Sequence, residues 1–278
     1  MRIRTTFFLA VAAMALTALL AACSDTPEGL NPKNVRVIVT SDTILSGMIA
    51  SLTPSHRYRV AAVLPPGQCP GHYDVKLSDI EKMKKADLVV SFKGMPFMDK
   101  TGSGAAVRRL FLDTEGRNWM APDSYVHGLN LLADRLSEYY PEDRNAIMSR
   151  KKAVIEEVRA CADSVTRRIG QAGLTGAPII SSSMLKEPLE WLGFRVVGEY
   201  GRPEAISARQ IVRLSKIGRE NRIVFVADNL QSGPDAGEGI ADSLGTPHVV
   251  LTNFPSERGY LATLEENVDT ILAAAMWK

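Results

Sequence analysis

Residues 141–171 contain a long run of helix-forming residues. The sequence PEDRNAIMSRKKAVIEEVRACADSVTRRIGQ has no proline or glycine after Pro141 until Gly170. A helix of about 28 residues would be about 40 Å long, which exceeds a typical globular helix. A helix of that length is best accommodated along a molecule with two halves. The sequence therefore predicts one long connecting helix over 141–171.

Short apolar stretches typical of β-strands alternate with helical patterns on both sides of this segment. Alternation of this kind favours parallel strands connected by crossover helices. We therefore predict an α/β protein with two α/β lobes, 35–140 and 172–278, whose mainly parallel sheets are joined by the one long connecting helix. The strand-like stretches are 35–41, 57–65, 86–92 and 107–113 before the helix, and 177–183, 194–200, 221–228 and 247–253 after it.

Two helix starts are predicted from capping patterns. The stretch SDTILSGMIASL offers Ser41 or Asp42 as an N-cap before an apolar face. The stretch LSDIEKMKKA carries Ser78 with Glu81 three residues later, which is the pattern of a capping box. We expect a helix to begin at each place.

The chain begins MRIRTTFFLAVAAMALTALLAACSDTPEG, a charged start followed by an apolar run. The run is shorter than the roughly 18 apolar residues of a membrane span, so 1–23 is typical of a secretory signal peptide. Leu-Ala-Ala-Cys is similar to the site at which bacterial lipoproteins are cleaved and lipidated, on Cys23 here. Acyl chains on Cys23 would tether the protein to a membrane of the cell envelope, facing the periplasm or the exterior, through the polar segment 24–34.

The charge balance gives no reason to expect nucleic acid as a partner. The sequence has 33 basic and 31 acidic residues, a net charge of +2, and loss of Arg2 and Arg4 with the signal peptide brings it to about zero. No basic run is present. With Cys23 assigned to lipid, a disulfide between Cys69 and Cys161 is an open alternative in an oxidising compartment.

Several strings in a fixed order resemble the solute-binding proteins of zinc/manganese ABC transporters. LPPG…YDVKLSDIEKMKKADLVVSFKG resembles the family's loop–helix–strand, and NWMAPDSYVHGLNLLADRLSEYYPED resembles its tryptophan-containing helix. EWLGFRVVG and PEAISARQIVRLSKIGRENRIVFVADNLQSG resemble later segments, so that the likeness covers nearly all of 34–278. The resemblance implies a monomer that captures a solute between its lobes and hands it to an ABC permease and ATPase.

The family's metal ligands are three histidines and one carboxylate. The positions that match them in this chain are Gly71, Arg117, Ser182 and Thr252. None of these is a usual transition-metal ligand. Three interpretations remain open: a transition-metal ion held by other groups, a metal complex or small organic solute, and a scaffold or adhesion lipoprotein that has lost its ligand.

Cys69 and His72 are the residues that we expect to bind a metal ion. They lie in the loop PPGQCPGHYD, which leaves a strand where such folds place ligand-binding groups. Thiolate and imidazole suit zinc, copper or another soft to borderline ion, and we expect zinc. Because a lone Cys-x-x-His pair does not complete a site, a packed cysteine beside a hydrogen-bonding histidine, or a disulfide to Cys161, remains possible.

Loops at other strand ends supply further candidates for the cleft. Ser and Asn suit hydrogen bonding to an organic or hydrated ligand better than direct binding of a transition metal. Asp228 either faces the ligand or caps the following turn, and Trp119 either stacks on the ligand or plugs the hinge, the role we favour. We expect surface, solvated or hydrogen-bonded edge positions for His56, His127 and His248. The cleft candidates are Asn118, Trp119, Ser182, Ser183, Asp228 and Asn253.

Three short strings are similar to those of the penicillin-recognising serine enzymes: SMLK at 183–186, SDT at 41–43 and KTG at 100–102. In those enzymes Ser-x-x-Lys comes first and Lys-Thr-Gly last, whereas here Ser-x-x-Lys comes last. A Walker-type phosphate loop is missing as well. We therefore expect a binding protein and not an enzyme.

Overall fold

The structure is a computed structural model, and it describes residues 35–99 and 107–276. The predicted signal peptide, Cys23 and the segment 24–34 lie outside the described residues, as does the KTG string at 100–102. Within the described part, no helix combines the length and the hydropathy needed to cross a membrane.

The N-terminal lobe is built on a sheet of four parallel strands in the order β2–β1–β3–β4. All five residues of the central strand β3 are buried, as is typical of a parallel sheet that is covered on both faces. The elements are β1 (Arg36–Thr40), α1 (Thr43–Leu52), β2 (Tyr58–Ala62), α2 (Leu77–Lys84), β3 (Leu88–Phe92), α3 (Pro96–Asp99), β4 (Arg108–Leu112) and α4 (Pro122–Tyr139).

The C-terminal lobe repeats this arrangement, with four parallel strands in the order β6–β5–β7–β8. In both sheets, loops that leave neighbouring central strands diverge to opposite sides, which opens a crevice at the carboxyl ends of the strands. The elements are β5 (Pro178–Ser182), α6 (Lys186–Trp191), β6 (Arg195–Tyr200), α7 (Ala208–Asn221), β7 (Val226–Asn229), α8 (Glu238–Leu244), β8 (His248–Leu251) and α9 (Tyr260–Ala275).

One helix, α5 (Arg144–Gln171), contributes to the cores of both lobes. It has 28 residues and is therefore about 42 Å long. Ile147, near its start, is packed in the core of the N-terminal lobe, and Ile169, near its end, in the core of the C-terminal lobe. The predicted connecting helix and the two-lobed α/β fold are confirmed, although Pro141–Asp143 form a separate 3-10 turn before the helix.

The last helix returns to the first lobe at its N-terminal end. The ring of Tyr260 stacks on that of Tyr125 with centroids 3.6 Å apart, and its hydroxyl donates to the Met120 carbonyl oxygen at 3.1 Å. Later residues of α9, such as Ile271, are packed in the C-terminal core. The lobes are thus connected through α9 as well as through α5.

The predicted helix starts are right in one case and wrong in the other. Asp42 is the N-cap of α1, as expected. Ser78 does not cap α2, because that helix begins one residue earlier, at Leu77. There the Asp79 carboxylate accepts the backbone N–H of Lys76 at 3.1 Å, so aspartate at the third helical position replaces the expected serine cap.

Asp143 fixes the start of α5 to the first sheet. Its side chain is 2% exposed and accepts hydrogen bonds from Arg36 Nη1 at 2.9 Å, from the Tyr58 hydroxyl at 2.5 Å and from Arg57. Burial, together with this carboxylate, raises the pKa of Tyr58, so the phenol remains a donor. Removal of the Asp143 charge would leave two arginines without the carboxylate that orients them.

Asp143→Asn is therefore expected to lower the free energy of unfolding by about 2–3 kcal/mol, somewhat less than for a fully buried ion pair, because both arginines are partly exposed. The control is Glu142→Gln, which also removes a partner of Arg36 but at a side chain that is 45% exposed. Its effect should stay below about 1 kcal/mol. Urea unfolding of both variants measures the difference, and equal losses would contradict the role of Asp143.

Asp42 is a buried carboxylate at the start of α1. Its Oδ1 accepts the backbone N–H groups of Ile44 and Leu45 at 3.0 and 3.1 Å, and its Oδ2 accepts the Ser41 hydroxyl at 2.6 Å. Burial raises the pKa of Asp42, and these hydrogen bonds offset part of that effect. The folded protein therefore holds this proton to a higher pH than the unfolded chain does.

Asp42→Asn is expected to change how stability depends on pH. In the wild type, stability falls as the pH rises from about 4, where the unfolded carboxyl titrates, through the higher pKa of the folded state. Asparagine keeps the N-cap and removes this loss. Unfolding free energies measured from about pH 4 upwards should diverge in favour of the variant, by about 1.4 kcal/mol per unit of pKa elevation. Parallel curves would show that the carboxyl is not destabilising.

Candidate functional site

The crevices of the two sheets face each other and form a cleft between the lobes. A cavity of about 510 Å³ lies in this cleft. The N-terminal lobe lines it with residues of the segment 114–119 and with Ile44 and Phe92, and the C-terminal lobe with residues of 183–190 and with Asn253 beside Phe254. A small solute bound here would contact both lobes at once.

Four of the predicted cleft residues line this cavity: Asn118, Trp119, Ser183 and Asn253. Ser183 is exposed at the start of the turn after β5. Ser182, the last residue of β5, is buried and is not among the lining residues. The structure therefore separates the two adjacent serines, one into the core and one towards the cleft.

Asn118 connects the two lobes through its side chain. Its Nδ2 donates to the Met184 carbonyl oxygen at 2.7 Å and to Asn253 Oδ1 at 2.8 Å, both in the C-terminal lobe. Its Oδ1 accepts the backbone N–H of Met120 at 2.9 Å. The carboxamides of Asn118 and Asn253 are therefore engaged in closing the cleft.

Glu187 is a cleft residue that the sequence did not indicate. It lies in the first turn of α6, and its Oε2 accepts the backbone N–H of Asn118 at 2.5 Å while its Oε1 accepts the Ser124 hydroxyl at 2.7 Å. Both donors belong to the segment that opens α4, where the helix dipole also favours a carboxylate. Glu187 thus joins α6 to the first turn of α4 and to the segment just before it, both in the other lobe.

Trp119 forms the floor of the cavity on the N-terminal side. It is 2% exposed and packs edge-to-face against Phe92, with centroids 4.8 Å apart. Its ring lies over Gly128, where a Cβ atom would come within 2.6 Å of Cε3, so only glycine fits at that position. The ring is thus packed between β3 and α4 of the N-terminal lobe, and its role as a plug of the hinge stays a prediction.

Two cationic side chains line the cavity, one from each lobe. Arg117 Nε is 3.7 Å from a Glu115 carboxylate oxygen, and Lys186 Nζ is 3.5 Å from one of Glu199. All four of these side chains are between 44% and 59% exposed. Such exposed pairs hold their partners weakly. The only other lining carboxylate besides Glu187, within the part of the chain that the structure describes, is the exposed Glu190.

Cys69 and His72 share a turn that follows β2. The His72 N–H donates to the Cys69 carbonyl oxygen at 3.2 Å, and His72 is exposed while Cys69 is partly buried. The turn approaches the C-terminal lobe, since a Cβ atom on Gly71 would lie 2.6 Å from Nη1 of Arg202. The turn follows β2, and β2 and β4 are the two edge strands of the sheet. Three strand spacings of about 4.8 Å place these two strands about 14 Å apart. Neither residue lines the cavity.

The alternative of a disulfide between Cys69 and Cys161 is wrong. Both cysteines are free thiols. Cys161 lies on α5 with its sulfur 4.0 Å from the Leu261 carbonyl oxygen, against the last helix. Burial raises the pKa of the Cys161 thiol, so it is a packing residue there.

Asp228 does not face the cleft. It is fully buried, and its carboxylate accepts the Tyr200 hydroxyl at 2.6 Å and the Gly237 N–H at 2.8 Å, and lies 2.6 Å from His248 Nε2. The expectation that it contacts a ligand is therefore wrong, and its carboxylate does not cap the turn directly after β7 either: it accepts the N–H of Gly237, at the start of α8, and joins β7 to β6 and β8. His248, on the edge strand β8, is the hydrogen-bonded edge histidine that we expected.

The other two histidines lie away from the cavity lining. His56 is exposed, as expected. The side chain of His127 is 38% exposed on α4 and lies 3.8 Å from Glu115. Over the described ranges, no three His, Cys, Asp or Glu residues form a group that could hold a metal ion. Cys69 and His72 would therefore supply at most half of the four ligands that zinc usually takes.

Glu187→Ala is expected to lower the free energy of unfolding by about 1.5–3 kcal/mol, because a charged acceptor is removed from two donors that bridge the lobes. Glu190→Ala, one turn later on the same helix, is the control and should change stability by less than about 0.5 kcal/mol. Thermal and urea unfolding measure both effects. A loss as large for Glu190→Ala as for Glu187→Ala would show that the contact with α4 is not responsible.

Comparison with known proteins identifies relatives of this fold. A family model described as ZnuA, zinc-uptake complex component A, periplasmic, matches residues 38–274. No curated protein sequence matches the chain significantly. The chain is similar to the periplasmic zinc binding protein TroA from Treponema pallidum, with 17% identity, a TM-score of 0.72 and coverage of 87% of this chain and 99% of that one.

Two further solved structures have the same fold. A mutant of the manganese-bound periplasmic metal binding protein from Candidatus Liberibacter asiaticus has 15% identity and a TM-score of 0.75, covering 87% of this chain and 100% of that one. The laminin binding protein Lmb of Streptococcus agalactiae, described as bifunctional with adhesin and metal transporting activity, has 15% identity and a TM-score of 0.72, covering 86% and 99%. At these identities the likeness establishes the fold.

The family model spans most of the chain and therefore establishes the family. Proteins of this family are solute-binding components that capture metal for ABC importers in the periplasm or outside the membrane, and they work with a permease and an ATPase. They are a transport family and not an enzyme family. The resemblance seen in the sequence is thus confirmed. The chain belongs to the ZnuA family of periplasmic metal-binding components.

Proposed function

We propose that this protein captures a transition-metal ion between its lobes and delivers it to an ABC permease, with zinc as the expected ion. The family match over residues 38–274 is the observation that carries this proposal. The relatives support it, since TroA is described as a zinc binding protein and the Liberibacter protein as manganese-bound. The cleft between two lobes gives such a protein a place to enclose its solute.

Cys69 and His72 are the protein ligands that we propose for the ion. Their shared turn approaches the C-terminal lobe at Arg202, which is consistent with a position inside the cleft. The Cys69 thiol is not in a disulfide. Because two ligands do not complete a zinc site, the remaining positions would be filled by water or by oxygen atoms that accompany the ion.

The proposal includes the attachment and state of the protein. Lipid on Cys23 would tether a monomer to the membrane beside its permease and ATPase, with 24–34 as the flexible connection. The protein would perform no bond-making chemistry. Because α5 is buried in both cores, capture would involve modest movement of the lobes.

Isothermal titration of the protein lacking residues 1–23 with zinc, copper, manganese and nickel tests the proposal. The wild type is expected to bind at least one of these ions. Cys69→Ser and His72→Ala should each weaken that binding by at least about tenfold, since even partners of metal ligands contribute about 10–100-fold. Cys161→Ser removes the other free thiol and should leave the affinity unchanged.

The outcomes separate the function from its ligands. Failure of the wild type to bind any of the four ions would contradict metal capture by this chain. Binding that is unchanged in both Cys69→Ser and His72→Ala would leave metal capture in place and exclude these two residues as its ligands.

A further inference from the structure

We propose that the cavity takes its metal as a small carboxylate chelate of net negative charge, whose own oxygen atoms coordinate the ion. This inference rests on the proposed metal capture, but it assigns the ion's ligands to the chelate itself in place of Cys69 and His72, which do not line the cavity. It follows from an imbalance at the cavity: the lining offers hydrogen-bond donors that lack strong partners, while most of its side-chain acceptors already accept one hydrogen bond each within the protein.

The first donor is the indole of Trp119. Its Nε1 is buried and has no hydrogen-bond partner among the described residues. The Cε3–Cζ3 edge of the ring lies over Gly128 of α4, so the opposite Nε1 edge points away from that helix. A buried donor without a partner is destabilising, and an acceptor atom from a bound ligand would relieve it.

Arg117 and Lys186 add two charged donors from opposite sides of the cleft. Their present partners, Glu115 and Glu199, are 3.7 and 3.5 Å away, and the two carboxylate side chains are 59% and 49% exposed. Such pairs contribute little to stability, so a ligand carboxylate can replace them readily. A guanidinium is well suited to bind a carboxylate with two parallel hydrogen bonds.

The acceptors of the cavity are mostly engaged within the protein. Both Glu187 oxygens accept hydrogen bonds from the start of α4. Asn118 Oδ1 accepts from Met120, and Asn253 Oδ1 accepts from Asn118. Glu190 alone does not supply the four ligands of a zinc ion. A bare cation would therefore meet two positive side chains and few free oxygen atoms.

The size of the cavity is consistent with a chelate. Its volume of about 510 Å³ exceeds many times the roughly 30 Å³ that one water molecule occupies in the liquid. It falls within the range of about 300–1,000 Å³ that is typical of sites for small organic ligands. A polycarboxylate with its ion would fill this space, whereas a single hydrated ion would leave much of it to solvent.

Equilibrium dialysis of the full chain with zinc, in the presence and absence of excess citrate, tests this inference. We expect zinc to be retained at least about tenfold more tightly with citrate, and Arg117→Ala and Lys186→Ala each to weaken that retention by about tenfold. Trp119→Phe, which removes the N–H together with part of the indole, should also weaken it; because the smaller side chain leaves space in the core and lowers the unfolding temperature, retention is compared at a temperature where both proteins are fully folded. Lys216→Ala, at an exposed side chain on α7, is the matched control and should have no effect.

Three results would overturn the inference, and they bear differently on metal capture. Retention of zinc that is independent of citrate and of Arg117, but requires Cys69 and His72, would refute the chelate while metal capture stands. Retention in neither condition would refute the chelate, and it would refute metal capture as well if the titrations with copper, manganese and nickel also show no binding. Binding of citrate alone as tightly as its zinc complex would show that the cavity recognises the carboxylate without the metal, against the chelate and against this cavity as the metal site.

Discussion

The structure depends on the burial of one helix in two hydrophobic cores. α5 contributes Ile147 to the first core and Ile169 to the second. Separation of either end of the helix from its lobe would therefore expose apolar side chains to water, which is unfavourable. Asp143 fixes its start through hydrogen bonds to the first sheet, and Tyr260 of α9 reaches back to the same lobe. Because both α5 and α9 pack against the two lobes, core packing sets the distance between the lobes. The same distance determines the width of the cleft.

Elements whose formation depends on local sequence were predictable. The central strand β3 is buried on both faces and so appears as a short apolar run, whereas edge strands such as β4 are partly exposed and were recognised from their alternation with helical patterns. The long helix followed from the lack of proline and glycine between Pro141 and Gly170. The cap of α2 was missed because Ser78 and Asp79 are adjacent candidates, and only the backbone path decides that Asp79 reaches Lys76.

The cleft was only partly predictable because its contacts join distant parts of the chain. Asn118 and Asn253 could be proposed because each follows a predicted strand. Glu187 could not, since the N–H that it accepts is 69 residues earlier and nothing in its own helix indicates that partner. The structural role of Asp228 could not be predicted either, because its partners Tyr200 and His248 come from β6 and β8. In the sequence, a carboxylate at a strand end that binds a ligand cannot be distinguished from one that bonds to a neighbouring side chain.

The closure of the cleft also determines what the cleft can recognise. Each oxygen that bridges the lobes, such as those of Glu187 and Asn253, already accepts one hydrogen bond and is held in the orientation of that bridge. The donors take less part in holding the lobes together. Trp119 Nε1 has no hydrogen-bond partner within the described residues, and the partner of Arg117 is the exposed Glu115, 3.7 Å away. A site that keeps donors free and uses its acceptors internally favours solutes that present oxygen atoms. If the proposed chelate binds here, the interactions that hold the two halves together are also what orients the groups that select it.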